Sequence, residues 1–149
     1  MLFRSESHVQ IVTFNTELKT AFQNEDWVAA IDADPIDTAI EGLSEKTPEN
    51  GTNLLILFDH IATMDPRPDN VFLIIDSLPT QSSRAPRKAV VTGQKRFEYF
   101  RDAVEELPQG IPINVIMFPM EGDPQASGAY WNLARITQGT YMSPSRDWP

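Results

Sequence analysis

Two oxygen-bearing side chains stand at points of the sequence where α/β proteins place functional groups. Asp76 ends a continuous apolar run, Val71–Ile75, which is typical of a strand buried on both faces. Thr52 follows Gly51 and precedes an amphipathic helix. Because such sheets collect functional groups at the carboxyl ends of their strands, we expect both residues at one edge. There the Asp76 carboxylate is either a nucleophile or an acceptor for loop N–H groups, and Thr52 is positioned to cap its helix.

The elements around these residues alternate between strands and helices. The predicted strands cover His8–Asn15, Leu18–Phe22, Val71–Ile75, Ile113–Phe118 and Thr140–Met142. The predicted helices start at Asp34–Pro35 and Thr52–Asn53, and cover Gln94–Leu107 and Ala126–Thr137; Asp123–Pro124 marks the start of the last one, and Gly139 suits its C′ position. This order predicts one α/β domain, a three-layer sandwich with a mostly parallel sheet.

Composition removes several classes of function. The chain has 149 residues, with 12 Lys and Arg against 21 Asp and Glu, a net charge of −9. The acidic balance argues against nucleic-acid partners and against contact with anionic membrane surfaces. The absence of cysteine excludes disulfides, Zn–thiolate sites, iron–sulfur clusters and Cys nucleophiles. No apolar run approaches the roughly 20 residues of a membrane-spanning helix, and the first residues do not form a signal peptide.

The patterns of known enzymes are largely missing. A receiver-like phospho-acceptor needs a Lys ending a later strand, but that strand ends in Phe118–Pro119. A phosphatase of the Asp-x-Asp type is excluded because Ser77–Leu78 follows Asp76. There is no Gly-rich phosphate loop and no Ser/His/Asp arrangement. We therefore expect no enzymatic activity, and an α/β enzyme using Asp76 is the least favoured alternative.

Several segments together resemble the von Willebrand factor A (vWA) domain. They are Gly51–Leu54, Asp69–Thr80, Ile113–Ile116, Glu121–Pro124 and Leu133–Met142. The resemblance covers about residues 8 to 145, and it rests on the order and spacing of the pieces. It implies a Rossmann-like open sheet and a protein–protein interaction module.

The family's functional centre is a metal-ion-dependent adhesion site for Mg²⁺ or a similar divalent cation. It uses an Asp-x-Ser-x-Ser triplet after the first strand, a Thr in a later loop and an Asp ending the fourth strand. Thr52 and Asp76 match the last two, although Ser77 stands where the family usually has Gly. Because Mg²⁺ needs near-octahedral oxygen coordination, these two ligands are too few. The resemblance thus implies an incomplete metal site, possible in the intact domain and empty in this chain alone; a metal-free structural fragment of a larger protein is the alternative.

The family's first strand and helix have no counterpart here, so the domain is predicted to be truncated at the N-terminus. Phe3–Ser7 has two serines at the right spacing but Phe in the Asp position, which we interpret as coincidence. The missing strand would lie between His8–Asn15 and Val71–Ile75. Three outcomes remain: upstream sequence supplies it, the two strands pair directly, or a partner donates a strand. For this chain alone we expect direct pairing, with a dimer through the open sheet edge as the alternative.

Further expectations concern the core and the surface. The predicted core comprises Val9, Ile11, Leu54, Phe58, Ile61, Val71, Leu73, Ile75, Phe97, Val115, Ile116, Leu133 and Ile136. A basic stretch, consisting of Arg84, Arg87, Lys88, Lys95, Arg96 and Arg101, is either a docking patch for an acidic partner or a solvated surface. Of Tyr130 and Trp131, one is expected in the core and the other as a surface anchor, while Trp148 is expected to fold back onto the domain.

Overall fold

The computed structural model describes residues 7–22, 26–47, 49–86, 90–118 and 120–144, and it divides into two compact units, Met1–Asn50 and Gly51–Pro149. The elements of the first unit are β1 (His8–Val9), β2 (Val12–Phe14), β3 (Leu18–Thr20), β4 (Val28–Ala29) and α1 (Ala33–Ser44). Those of the second are α2 (Leu54–Thr63), β5 (Val71–Ile75), α3 (Gly93–Glu106), β6 (Ile113–Met117), α4 (Ala126–Ile136) and β7 (Tyr141–Met142). Predicted features at Phe3–Glu6, Arg87–Lys88, Pro119 and Trp148 lie outside the described residues.

The first unit is built from short antiparallel strands. β2 and β3 form a hairpin around a turn in which the Asn15 side chain accepts a hydrogen bond from the Glu17 N–H at 2.8 Å. This confirms the turn predicted at Asn15–Thr16. The predicted strand His8–Asn15 is in fact two strands, because β1 pairs with β4 instead of with β3.

Helix α1 follows these strands. Its N-cap is Asp32, and Asp34 lies in the first turn, so the prediction of Asp34 as the cap is wrong by two positions. Pro35 does not fix the first residue of α1. Proline lacks an N–H group, and it is tolerated throughout the first turn because the N–H groups there have no intrahelical partner. Only Ala39 is buried on α1, whereas Ile40 is 55% exposed.

The second unit contains a parallel sheet of order β5-β6-β7. Leu73 lies opposite Val115, and Val115 lies opposite Tyr141, so these three share one face. Helix α3 connects β5 to β6, and α4 connects β6 to β7, as parallel pairing requires. The expected α/β architecture with a parallel sheet is therefore present in this unit.

The core of the second unit follows most of the predictions. Buried as expected are Leu54, Phe58, Ile61, Leu73, Ile75, Val115 and Leu133, whereas Val9, Ile11, Val71 and Ile116 are half-buried. The prediction is wrong for Phe97, which is 37% exposed, and for Ile136, which is 53% exposed. Both line an open apolar groove of about 680 Å³ between α3 and α4, so their helical spacing is correct but nothing in the described chain covers them.

The end of α4 corrects the role of Gly139. Gln138, with φ 61°, adopts the left-handed conformation of the C′ residue, and its N–H donates to the Arg135 carbonyl at 3.3 Å. Gly139 N–H donates to the Ala134 carbonyl at 2.8 Å, which completes a Schellman motif. A Cβ on Gly139 would collide with the backbone of Ile113. Close approach to β6, and not the C′ conformation, is therefore what requires glycine here.

The expected pairing of the N-terminal strand with Val71–Ile75 is not among the strand pairs of the described residues. β1 and β2 pair with β4 and β3, and β5 pairs with β6. None of the helices in the described part of the chain is long and apolar enough to cross a membrane.

Candidate functional site

Asp76 follows β5 directly, as the sequence pattern predicts, and it is exposed. The Ser77 hydroxyl donates to Asp76 Oδ1 at 2.9 Å. Ser77 itself is buried, and its carbonyl accepts a hydrogen bond from the Tyr130 hydroxyl at 3.1 Å. The backbone on the C-terminal side of Asp76 is thus held from inside while the carboxylate faces solvent.

Thr52 is bound to the same loop. Its carbonyl accepts from the N–H groups of Thr80, at 2.9 Å, and Gln81, at 3.1 Å. Its own N–H donates to Thr80 Oγ1 at 2.9 Å. The loop that begins at Asp76 therefore reaches Thr52 at Thr80 and Gln81. That Asp76 itself lies close to Thr52 remains a prediction.

The residues on either side of Thr52 have separate structural roles. A Cβ on Gly51 would collide with Thr80 Oγ1, so any larger residue would force the Thr80 hydroxyl to move and to lose its hydrogen bond from the Thr52 N–H. Asn53 is the N-cap of α2, since its Oδ1 accepts from the Leu55 N–H at 3.2 Å. The prediction of Thr52 as the cap is therefore wrong by one residue, and the Thr52 hydroxyl is not used for capping.

An ion pair between the buried Asp123 and the half-buried Arg96 binds the loop backbone at Leu78. Asp123 Oδ2 lies 2.9 Å from the Arg96 guanidinium and 2.7 Å from the Leu78 backbone nitrogen. Arg96 Nε donates to the Leu78 carbonyl at 3.2 Å, so both polar groups of the Leu78 backbone are bound by this pair. The Asp123 side chain is 4% exposed and that of Arg96 is 16% exposed. The pair fixes the segment that connects Asp76 to Thr80.

These two residues are the ones that sequence reasoning missed. Asp123 is not the cap of α4, since the helix begins at Ala126 with Gln125 as N-cap. Arg96 turns inward, whereas Lys95 is exposed and pairs with Glu98 at 2.6 Å. The basic stretch is therefore not one continuous surface patch. Nothing in the local sequence distinguishes an Asp–Pro pair that caps a helix from one that binds a buried arginine.

Burial is the main electrostatic influence on Tyr130. It raises the pKa of the phenol well above its ordinary value, and the nearby Asp123 carboxylate acts in the same direction. Tyr130 therefore remains a neutral hydrogen-bond donor to Ser77. Trp131, the next residue, is 54% exposed, so the expectation of one core and one surface aromatic is correct.

The loop after β6 lies beside Asp76. Phe118 N–H donates to the Ile75 carbonyl at 2.8 Å, and Met120 N–H donates to the Asp76 carbonyl at 3.1 Å. The side chains of Phe118 and Met120 are each 52% exposed. The surface around Asp76 thus combines an exposed carboxylate with two large apolar side chains.

The site contains few groups for metal coordination. Thr52 and Asp76 supply one hydroxyl and one carboxylate, and Ser77 adds a hydroxyl bound to Asp76. In the described ranges, no cluster of three or more His, Asp or Glu side chains is arranged to hold a metal ion. Comparison of the chain with protein-family models, with curated proteins and with solved structures gives no significant match.

Proposed function

We propose that this chain is a protein–protein interaction module of the vWA type, with a Rossmann-like arrangement truncated at its N-terminus. Its contact surface is the edge that carries Thr52 and Asp76. The observation that supports the proposal is the set of hydrogen bonds between Thr52 and Thr80, which joins the Thr52 backbone to the loop beginning at Asp76. In a vWA-type site these are the positions of the Thr and the last Asp.

The surroundings of Asp76 favour docking over catalysis. Phe118 and Met120 present apolar surface next to the exposed carboxylate, which is the mixture found at protein interfaces. A nucleophilic role would require an adjacent base or an enclosed, desolvated position, whereas Asp76 faces solvent. The edge is therefore better suited to binding another protein than to activating a carboxylate.

Mg²⁺, or a similar divalent cation, is the proposed mediator of that contact. The Thr52 hydroxyl and the Asp76 carboxylate are oxygen ligands of the kind this ion prefers. They leave most of an octahedral shell to water, to a carboxylate of the partner protein or to additional residues. The metal site of this chain is incomplete, and we expect weak binding that a partner strengthens.

Titration with Mn²⁺, followed by electron paramagnetic resonance, tests the metal role. We expect weak saturable binding that the substitutions Asp76→Asn and Thr52→Val each reduce at least tenfold. Asp69→Asn is the matched control because Asp69 is an exposed carboxylate before the same strand, and it should bind Mn²⁺ like the unmodified chain. If all four proteins bind Mn²⁺ equally, or none does, the metal-mediated mechanism is wrong.

A metal-free structural module is the second candidate. It is favoured by the small number of ligands and by the buried Arg96–Asp123 pair, which holds the loop without any ion. Under this proposal, a millimolar divalent cation leaves both the unfolding midpoint and partner binding unchanged. Thermal unfolding with Mg²⁺ and with EDTA separates the two candidates, because only a bound ion raises the midpoint.

A further inference from the structure

Within the part of the chain that the structure describes, the backbone groups at the outer edge of β5 have no hydrogen-bond partner. On the inner side, the Val71 N–H donates to the Pro112 carbonyl at 3.0 Å, and the Ile75 carbonyl accepts from the Phe118 N–H at 2.8 Å. Backbone groups of successive strand residues point to alternate sides, so those of Phe72 and Ile74 point away from β6. No strand within the described residues pairs with β5 on that side.

The side chains at this edge lack the usual protection against strand pairing. Phe72 is 70% exposed and Ile74 is 63% exposed. The strand Val71–Ile75 contains no charged residue and no proline, which are the devices that normally block edge pairing. Such an edge is a template for another strand.

We propose that a second copy of this chain occupies the edge. Its β5 pairs antiparallel with the first β5 about a twofold axis at Leu73, which gives a continuous six-stranded sheet. In this register, Phe72 lies opposite Ile74 of the second copy. The twofold axis also places Ile74 opposite Phe72 of the second copy. This inference does not depend on the metal site, so it stands or fails separately from the proposed function.

The backbone selects this register. Phe72 and Ile74 form hydrogen-bonded pairs, so each copy contributes two donors and two acceptors, and all of these outward groups are used. A shift by one residue would place the exposed side chains against the buried face. A shift by two residues would place Phe72 opposite Phe72 of the second copy, or Ile74 opposite Ile74 of the second copy. Whichever of Phe72 and Ile74 is not paired in this way would then lie opposite a loop residue that flanks β5.

The polar residues that flank β5 are compatible with the same arrangement. The register places Asp76 opposite Asn70 of the second copy, and Asp69 opposite Ser77. Asp76 thus faces a side chain that can donate a hydrogen bond, and no two carboxylates are directly opposed. Ser77 is buried and its hydroxyl already donates to Asp76 of its own chain, so only the Asp76–Asn70 pairs contribute. The net charge of −9 on each chain still opposes association, so we expect added salt to strengthen the dimer.

Cysteine crosslinking tests the register directly because the chain has no native cysteine. The Cα atoms of a hydrogen-bonded antiparallel pair are about 5.5 Å apart, which a disulfide can span. Phe72→Cys and Ile74→Cys are prepared as separate proteins and oxidised alone and as a mixture. Both positions are exposed, so neither change removes a buried contact. We expect a crosslinked dimer in the mixture and at most a tenth as much in either protein alone.

Other outcomes overturn the proposal. Crosslinking of either protein alone, at the level of the mixture or above, indicates a shifted register. The proposal also fails if no sample crosslinks and light scattering gives the mass of a monomer at every concentration up to about 0.5 mM. These two results together would show that β5 does not pair with itself.

A pair of double variants gives an independent measurement. Phe72→Lys with Ile74→Glu places opposite charges across the two strands, whereas Phe72→Lys with Ile74→Lys places like charges there. Light scattering should show a dimer for the first variant and at least a tenfold weaker dimer for the second. Equal association of the two double variants contradicts the proposed contact.

Discussion

At the scale of single residues, the second unit contains a charged pair formed by the buried Asp123 and the half-buried Arg96. Asp123 and Arg96 together bind both backbone groups of Leu78, so each charge is satisfied by its partner and by the loop. Such a pair need not add stability compared with an apolar core, but removing Asp123 leaves the half-buried Arg96 without its ion-pair partner and the Leu78 N–H without its acceptor. The position of Asp76 is thereby linked to two residues outside its own strand.

Asp123→Ala should therefore be strongly destabilising. We expect the free energy of unfolding to fall by about 3 to 5 kcal/mol, a large share of the 5 to 15 kcal/mol that is typical of a domain. Urea unfolding monitored by circular dichroism measures the change. Glu121→Ala is the control, because Glu121 is a neighbouring but exposed carboxylate and should alter stability by less than about 0.5 kcal/mol. Equal effects of the two changes would show that the ion pair is unimportant.

Tyr130 should make the stability sensitive to alkaline pH. Burial raises its pKa in the folded state, so the folded protein holds the phenol proton more tightly than the unfolded chain does. The associated stability is complete below the unfolded pKa of about 10 and is lost as the pH rises above that value.

The pH dependence is measured from urea midpoints between neutral pH and about pH 11, a range that brackets the ordinary tyrosine pKa. Tyr130→Phe should lower stability at neutral pH by about 1 to 3 kcal/mol, because the Ser77 carbonyl loses its buried donor. The same change should flatten the alkaline decline. Tyr99→Phe, at a half-buried tyrosine on α3, should leave the decline as it is in the unmodified protein.

The sequence identifies Asp76 and Thr52 better than it identifies Asp123 and Arg96. Asp76 is identifiable because the end of an apolar run is a local pattern, and Thr52 because it stands at a helix start. Asp123 and Arg96 are far apart in the chain, and their pairing is a tertiary contact with no local signal. Their surroundings resemble an ordinary helix start and an ordinary basic surface.

At the scale of elements, the connection from α4 to β7 depends on how closely Gly139 approaches β6. A Cβ at position 139 would lie within 2.9 Å of the Ile113 nitrogen and closer still to its carbonyl group. These neighbours are backbone atoms of a central strand, so they cannot move aside without disturbing the sheet.

Gly139→Ala should cost about 1 to 3 kcal/mol in the free energy of unfolding, as overpacking does elsewhere. Gly128→Ala is the matched control, since Gly128 lies inside α4 and a Cβ there meets no atom within 4 Å. The control should stabilise the protein by about 0.5 to 1 kcal/mol through helix propensity. If the two variants unfold at the same urea concentration, the close contact does not matter in solution.

The elements themselves are mostly readable from the sequence, and the exceptions have physical reasons. The predicted helix Gln94–Leu107 is observed as Gly93–Glu106, and the strand Ile113–Phe118 ends one residue earlier, at Met117. The spacing of apolar residues is a property of one continuous segment, so it predicts the helix or strand whatever packs against it. Whether an apolar helix face is covered depends on other elements, which is why the exposure of Phe97 and Ile136 was not predictable.

At the scale of the whole molecule, the buried apolar side chains are unevenly divided. Among the described residues of the first unit, only Phe22 and Ala39 are buried apolar side chains. The second unit buries many more, including Leu54, Phe58 and Leu73. Its sheet has three parallel strands, whereas the sheets of the first unit have two short strands each. Two-stranded sheets are marginally stable in water without further packing.

Amide hydrogen exchange should therefore distinguish the two units. Local opening exposes little apolar surface in the first unit, so the amides of β2, β3 and α1 should exchange at least tenfold faster than those of β6 after correction for intrinsic rates. β6 is the best reference because it is hydrogen-bonded on both sides, to β5 and β7, and most of its side chains are buried. Equal protection of β2 and β6 would mean that the chain opens only as a whole. In that case the few buried side chains among the described residues of the first unit would understate its stability, and the cooperative unit would be the full chain.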